Sequence, residues 1–154
     1  DWWYDGEAIE KGLEAIGVKV LENERARIER PGGAFWLGGL ADYESLRAKP
    51  SYGETLADLE GDDPVVVMSH WPDVFAAAPD RVAITFAGHS HCGQVNLPVF
   101  GRLMHASAGS EKWPCGLYSN GQGRLYVSGG VGVSIMPVRF LQPPEIAIVT
   151  LRAD

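Results

Sequence analysis

Two short apolar runs, Val65-Val66-Val67-Met68 and Val82-Ala83-Ile84-Thr85-Phe86-Ala87, constrain this chain more than anything else in it. Each reads as a buried strand. Each is followed at once by histidine: Ser69-His70-Trp71-Pro72-Asp73 after the first, Gly88-His89-Ser90-His91-Cys92-Gly93-Gln94 after the second. The chain has only four histidines. Three of them therefore sit just past strand ends, where the metal and substrate sites of layered α/β folds lie. Imidazole is the commonest metal ligand near neutral pH, because it can be neutral and still offer a lone pair. His70, His89 and His91 are read as part of a metal site in a hydrolase.

The remaining elements are consistent with an α/β class. Asp5 to Ile16 has an apolar stripe at helical spacing (Ala8, Ile9, Leu13, Ile16), with Asp5 as cap and Gly17 as the stop. Val18–Leu21 reads as extended, Asn23-Glu24 as a turn, Ala26–Arg30 as a half-exposed strand and Ala34–Gly38 as a buried one. A helix is expected through Thr55–Leu59, and a short one from Pro72 to Ala78 with proline in its first turn. Val95 to Trp113 shows no period and reads as an irregular loop. Gly116–Ser119 and Arg124–Ser128 form a hairpin around Asn120-Gly121-Gln122-Gly123, and Glu145–Leu151 reads as a final strand.

Charge narrows the partners. Of 154 residues 20 are Asp or Glu and 13 Lys or Arg, for a net charge of −7. That argues against nucleic acid and anionic membrane surfaces as passive partners. An anionic substrate would need local positive charge, which bound cations supply. No apolar run approaches the length of a membrane span. Two cysteines, Cys92 and Cys115, make no disulfide framework. Cys92 is readable as a thiol ligand but better as a small buried filler.

Histidines two apart on an extended segment share a face, so His89 and His91 can reach one metal or two adjacent ones. His105 has no comparable context and reads as an ordinary loop histidine. Three imidazoles leave the charge of a divalent ion uncompensated, and a two-metal centre normally needs carboxylates. Asp73 is as well explained by helix capping. Asp42 is better read as solvated.

Taken together, Ser69-His70, Pro72-Asp73-Val74 and Gly88-His89-Ser90-His91-Cys92-Gly93-Gln94 resemble the C-terminal half of a calcineurin-like metallophosphoesterase. The likeness is to the bacterial branch with a GHTHGGQ-type signature. Leu125–Gly132, Met136–Phe140 and Pro143–Ile146 are similar to that branch as well. Asp1-Trp2-Trp3-Tyr4 looks like the run that follows Gly-Asn-His in the family's GNHD motif. Here Ser90 replaces a threonine, Cys92 replaces a glycine, and Trp71 stands where Asn or Glu is common.

The resemblance implies a four-layer α/β sandwich of two packed mixed β-sheets flanked by helices, with the first β-α-β units before Asp1. Residues 1–154 are then the C-terminal portion of a single domain. It implies two divalent metal ions (Mn, Fe, Zn, Ni or Co), with His70 and His89 on one and His91 on the other. Asp1 would orient a catalytic histidine that precedes the chain. Gln94 and Cys92, with the 95–113 loop, would line the substrate cleft. The implied substrate is a small phosphorylated molecule, a monoester, diester or pyrophosphate, with lipid and nucleotide-lipid headgroups included. The chain alone would be inactive. Two rival readings are a mononuclear three-histidine zinc hydrolase and a non-catalytic binding module.

Overall fold

The computed structural model describes residues 2–152 apart from 104 and 122, with side chains from residue 5 onward. It is a mixed α/β arrangement. Helix α1 (Trp2–Ala15) is kinked at Asp5, whose Oδ1 accepts from Ala8 N at 3.0 Å as the expected cap. The helix ends as its sequence predicts. Gly17 N donates to Glu14 O and Val18 N to Leu13 O, with Gly17 at φ 83°. None of its described side chains is fully buried.

Six strands form the main sheet: β1 (Glu24–Arg30), β2 (Gly33–Gly39), β3 (Val65–Met68), β4 (Val82–Ala87), β7 (Gly116–Ser119) and β8 (Arg124–Val127). Their order is β1-β2-β3-β4-β8-β7. The inner pairs β2/β3, β3/β4 and β4/β8 are parallel, and the outer pairs β1/β2 and β7/β8 are antiparallel. A second, two-stranded sheet joins β5 (Asn96–Leu97) to β6 (Gly101–Arg102).

One face of the main sheet is the core. Val65, Val67 and Val82 pack with Leu40, Val74 and the partly buried Trp36, Tyr52, Leu56 and Leu59. Leu125 and Val127 pack with Phe75, Ala87 and Trp113. A register shift between Val65 and Val66 places both Val82 and Thr85 on this side and leaves Ala83 exposed. The opposite face carries a second apolar row. Ala26 lies opposite Leu37, Leu37 beside Val66, Met68 beside Phe86, and Tyr126 between Phe86 and Leu117. Met68 and Leu117 on this row are exposed.

Four elements differ from expectation. Asn23, read as a turn residue, is a buried hub at φ 56°. Its amide accepts from Ala41 N and Ser51 N and donates to Lys49 O and Glu54 Oε2, pinning the 41–51 loop. The helix expected at 55–59 lies earlier, as α2 (Tyr52–Thr55), because Ser51 accepts from Glu54 N and so sets its start. The supposed loop 95–113 holds the β5/β6 hairpin and α3 (Ala108–Lys112). Glu145–Leu151 is not hydrogen-bonded as a strand.

Candidate metal centre

Because β3 and β4 run parallel, their C-terminal ends emerge side by side. Backbone pairing continues beyond them: Ser69 N donates to Phe86 O (2.9 Å) and Gly88 N to His70 O (3.0 Å). That brings the two histidine segments into contact. His89 Nδ1 lies 3.2 Å from His70 Nε2. Trp71 stacks on the His89 ring at 3.6 Å and 29°, and its Nε1 donates to Asp42 Oδ1 at 3.1 Å. Asp42, read as a solvated loop residue, is therefore tied to the site through Trp71.

His89 Nε2 is buried and has no hydrogen-bond partner among the described residues. Burial, and next the adjacent His70, hold the His89 imidazole below its ordinary pKa, against the opposing pull of the Ala106 carbonyl. Burial also lowers His91, against the opposing pull of the Gly132 carbonyl, and the Arg139 charge adds to the lowering. Both shifts favour the neutral imidazole, the form that offers a lone pair.

The extended geometry expected between His89 and His91 is not found. His89 has φ 63° and His91 φ 47°, Ser90 is right-handed helical, and His91–Gly93 forms a 3-10 turn. The two rings part. His89 turns to His70, whereas His91 meets Arg139, whose Nη2 is 3.5 Å from Nδ1. That guanidinium also donates to the carbonyls of Gly129, Gly130 and Gly132 and pairs with no carboxylate among the described residues. The three imidazoles do not form a set with one ring nitrogen each, all within 4.8 Å of one another. Among the described residues the one cluster of three donors within 4.8 Å is Cys92, Cys115 and Glu145.

A cleft of about 820 Å³ nevertheless joins the three histidines, bordered by Asp42, Trp71, Gln94, Ser134 and Ile135. His105 stands on the same wall. No local signal around Leu103–Ala106 pointed there; the β5/β6 hairpin folds that stretch back over the site. Gln94 is buried, and its amide is fully used. Nε2 donates to Ser134 O and Met136 O (both 2.9 Å), and Oε1 accepts from Ser134 N (2.7 Å). It shapes the cleft by holding residues 134–136 rather than by offering free donors. Asp73 does cap a helix, but α3 rather than its own turn: it accepts from Ser107 Oγ and Gly109 N.

Cys92 is fully buried and bonded to Cys115, with Cα atoms 4.9 Å apart. It presents no thiol to the cleft, and the two cysteines do pair, contrary to expectation. Topology explains this. Val127 of β8 is flanked by Ala87 at the end of β4 and by Gly116 at the start of β7. The residues just beyond, Cys92 and Cys115, reach the same end of the sheet from opposite sides. Asp1 lies outside the described residues.

Comparison with known proteins gives the class. The chain is 33% identical over 96% of its length to a Bacillus subtilis protein named uncharacterized metallophosphoesterase YkuE. It is 27% identical over 98% to an uncharacterized metallophosphoesterase of Helicobacter pylori, and 28% identical over 91% to one of Aquifex aeolicus. These relatives support one family for this chain, the metallophosphoesterases. The chain spans 52%, 40% and 53% of their lengths, about half of the curated relatives it matches. No family model matches the chain. No solved structure matches it.

Proposed function

We propose that this chain carries the histidine side of a dinuclear metal centre in a phosphoester hydrolase. The observation that carries the reading is the His70–His89 pair, 3.2 Å apart at adjacent parallel strand ends, with a buried, unpartnered Nε2 on His89. Neutral imidazoles fit a borderline divalent cation such as Mn, Fe, Zn, Ni or Co. His70 and His89 would hold one ion and His91 the other, at the cost of Arg139's approach to His91. When bound, such ions supply Lewis acidity toward phosphoryl oxygens and lower the pKa of the attacking water. Trp71 fixes the His89 ring by stacking. Gln94 holds the 134–136 wall. Asp1 would orient a histidine that precedes it, as carboxylates commonly do. The substrate is a small phosphorylated molecule, a monoester, diester or pyrophosphate, including one carried on a lipid.

The chain is proposed as the C-terminal portion of one domain, and its sheet as one of the two sheets of a four-layer sandwich. The apolar row from Ala26 to Leu117, with Met68 and Leu117 exposed, is the surface such a second sheet would cover.

The test is metal stoichiometry in the longer protein. Two divalent ions are expected in the wild type, one lost in His91→Ala and the other weakened in His89→Ala, each variant losing orders of magnitude in rate. One ion lost equally from both variants would instead favour the three-histidine zinc reading. The 154-residue chain alone is expected to hydrolyse a generic phosphodiester no faster than buffer with Mn²⁺ added. Turnover by the chain alone would refute its dependence on further ligands.

A further inference from the structure

Of the six residues from His89 to Gln94, four that are not glycine occupy the left-handed region: His89 (63°), His91 (47°), Cys92 (55°) and Gln94 (51°). Such backbone persists only where its surroundings over-determine it. The ties are visible. Ser90 Oγ donates to Pro114 O (2.7 Å) and accepts from Cys92 N (3.2 Å). Arg102 Nε donates to Cys92 O (3.2 Å). The Gln94 clamp holds the far end. One tie is covalent, the Cys92–Cys115 disulfide, which closes 23 residues of chain.

The disulfide is placed to act on the site. Cys92 follows His91 directly, and its Sγ packs on Gly129, where an added Cβ would come within 2.9 Å. The Gly129 carbonyl in turn receives Arg139, the residue that meets His91. Access is unequal: Cys92 is fully buried, while Cys115 is half-buried.

The geometry points to Cys92–Cys115 as a reversible thiol–disulfide site that locks the histidine-bearing loop in its left-handed conformation. Resting on the metal reading above, the lock also sets how tightly that loop binds a divalent ion. A dithiol reductant attacks Sγ of Cys115, the less buried residue of the pair, the sulfur–sulfur bond breaks, and Cys92 leaves as a thiolate that takes up a proton. The second thiol of the reductant displaces Cys115 and closes the reductant to its own disulfide. Two electrons and two protons pass to the pair. A disulfide oxidant reverses the exchange. Once reduced, the loop keeps only its hydrogen bonds.

The experiment compares the whole chain in its oxidised form, its dithiothreitol-reduced and desalted form, and as Cys115→Ser. Amide exchange is followed by mass spectrometry and Mn²⁺ binding by paramagnetic resonance. Reduction is expected to speed exchange in residues 88–95 at least tenfold while residues 65–68 stay protected. Mn²⁺ affinity is expected to fall about 10- to 100-fold, the range seen when support around ligands is removed. Cys115→Ser should match the reduced form and ignore reductant. Should that variant misfold, shown by exchange at 65–68, reduced wild type carries the comparison. Unchanged exchange in 88–95 on reduction overturns the lock. So do two free thiols that a disulfide oxidant fails to pair. Faster exchange with no Mn²⁺ bound in either form supports the lock and overturns its control of ion binding by this chain, leaving the dinuclear reading to the stoichiometry of the longer protein. A thiolate-to-cobalt charge-transfer band on adding Co²⁺ to the reduced chain overturns the lock in a different way, making Cys92, Cys115 and Glu145 a metal site.

Discussion

Val65-Val66-Val67-Met68 and Ile146-Ala147-Ile148-Val149 are alike as sequences, short runs of β-branched and apolar residues, yet they end in opposite states. In the first, the three valines are at most 5% exposed, hydrogen-bonded between β2 and β4. In the second, Ile146 and Ile148 are 82% and 93% exposed, and nothing pairs with the segment among the described residues. Strand propensity describes how well a segment suits a pleated, half-buried surface. Whether such a surface exists is decided by other parts of the molecule. Among the described residues the tail from Gly129 is held by a single backbone bridge, Val95 with Phe140, by Glu145 N on Gly130 O, and by side chains: Arg139 on glycine carbonyls, Gln94 on residues 134–136, and Glu145 on the sheet.

Substitutions can break that contrast. The largest effect is expected in the sheet. Leu125→Ala empties a fully buried site and should cost about 2–5 kcal/mol of unfolding free energy by urea titration. A cost below the lower bound would mean that the sheet is no better packed than the tail. Next comes the tether between the two regions. Glu145 Oε1 accepts from Tyr126 Oη (2.6 Å) and Ser128 Oγ (3.3 Å). Glu145→Ala should cost about 1–2 kcal/mol, since hydrogen bonds to charged groups are worth more than neutral ones. A loss matching that of Leu125→Ala would show the tail to be integral to the fold. Ile148→Ala is expected to fall within about 0.5 kcal/mol, as for other exposed positions. A larger cost would show that the tail is covered in solution.

What was legible in the sequence follows the same division. The central strands were visible because their neighbours are strands that the sequence also marks, and the ends of β3 and β4 put His70 and His89 where a layered fold would put them. The hairpin around residues 120–123 was visible because turn chemistry is local. The rest depends on long-range contacts. Nothing near Asn23 shows that it will satisfy four backbone and side-chain groups between residues 41 and 54. The loop at His89–Gln94 looks extended in the sequence, but its ties to Pro114, Arg102, Arg139 and Ser134 bend it into left-handed turns. Cys115 lies far from Cys92 along the chain, and they meet because Val127 stands between Ala87 and Gly116 and because Ser90 bonds to Pro114. His105 joined the cleft through a hairpin too short to show a period.

The position of β8 between β4 and β7 has a consequence during synthesis. Strands β1 to β4 emerge from the ribosome first, and until Arg124–Val127 follows, β4 is an open edge with unpaired N–H and C=O groups. Closing it requires a contact between segments about 40 residues apart, the kind of non-local pairing that slows folding. The nascent chain therefore passes through a stage in which Val82–Ala87, among its most apolar stretches, can recruit another strand. Chaperone dependence and inclusion-body formation should trace to that interval and should lessen when β7 and β8 are already made.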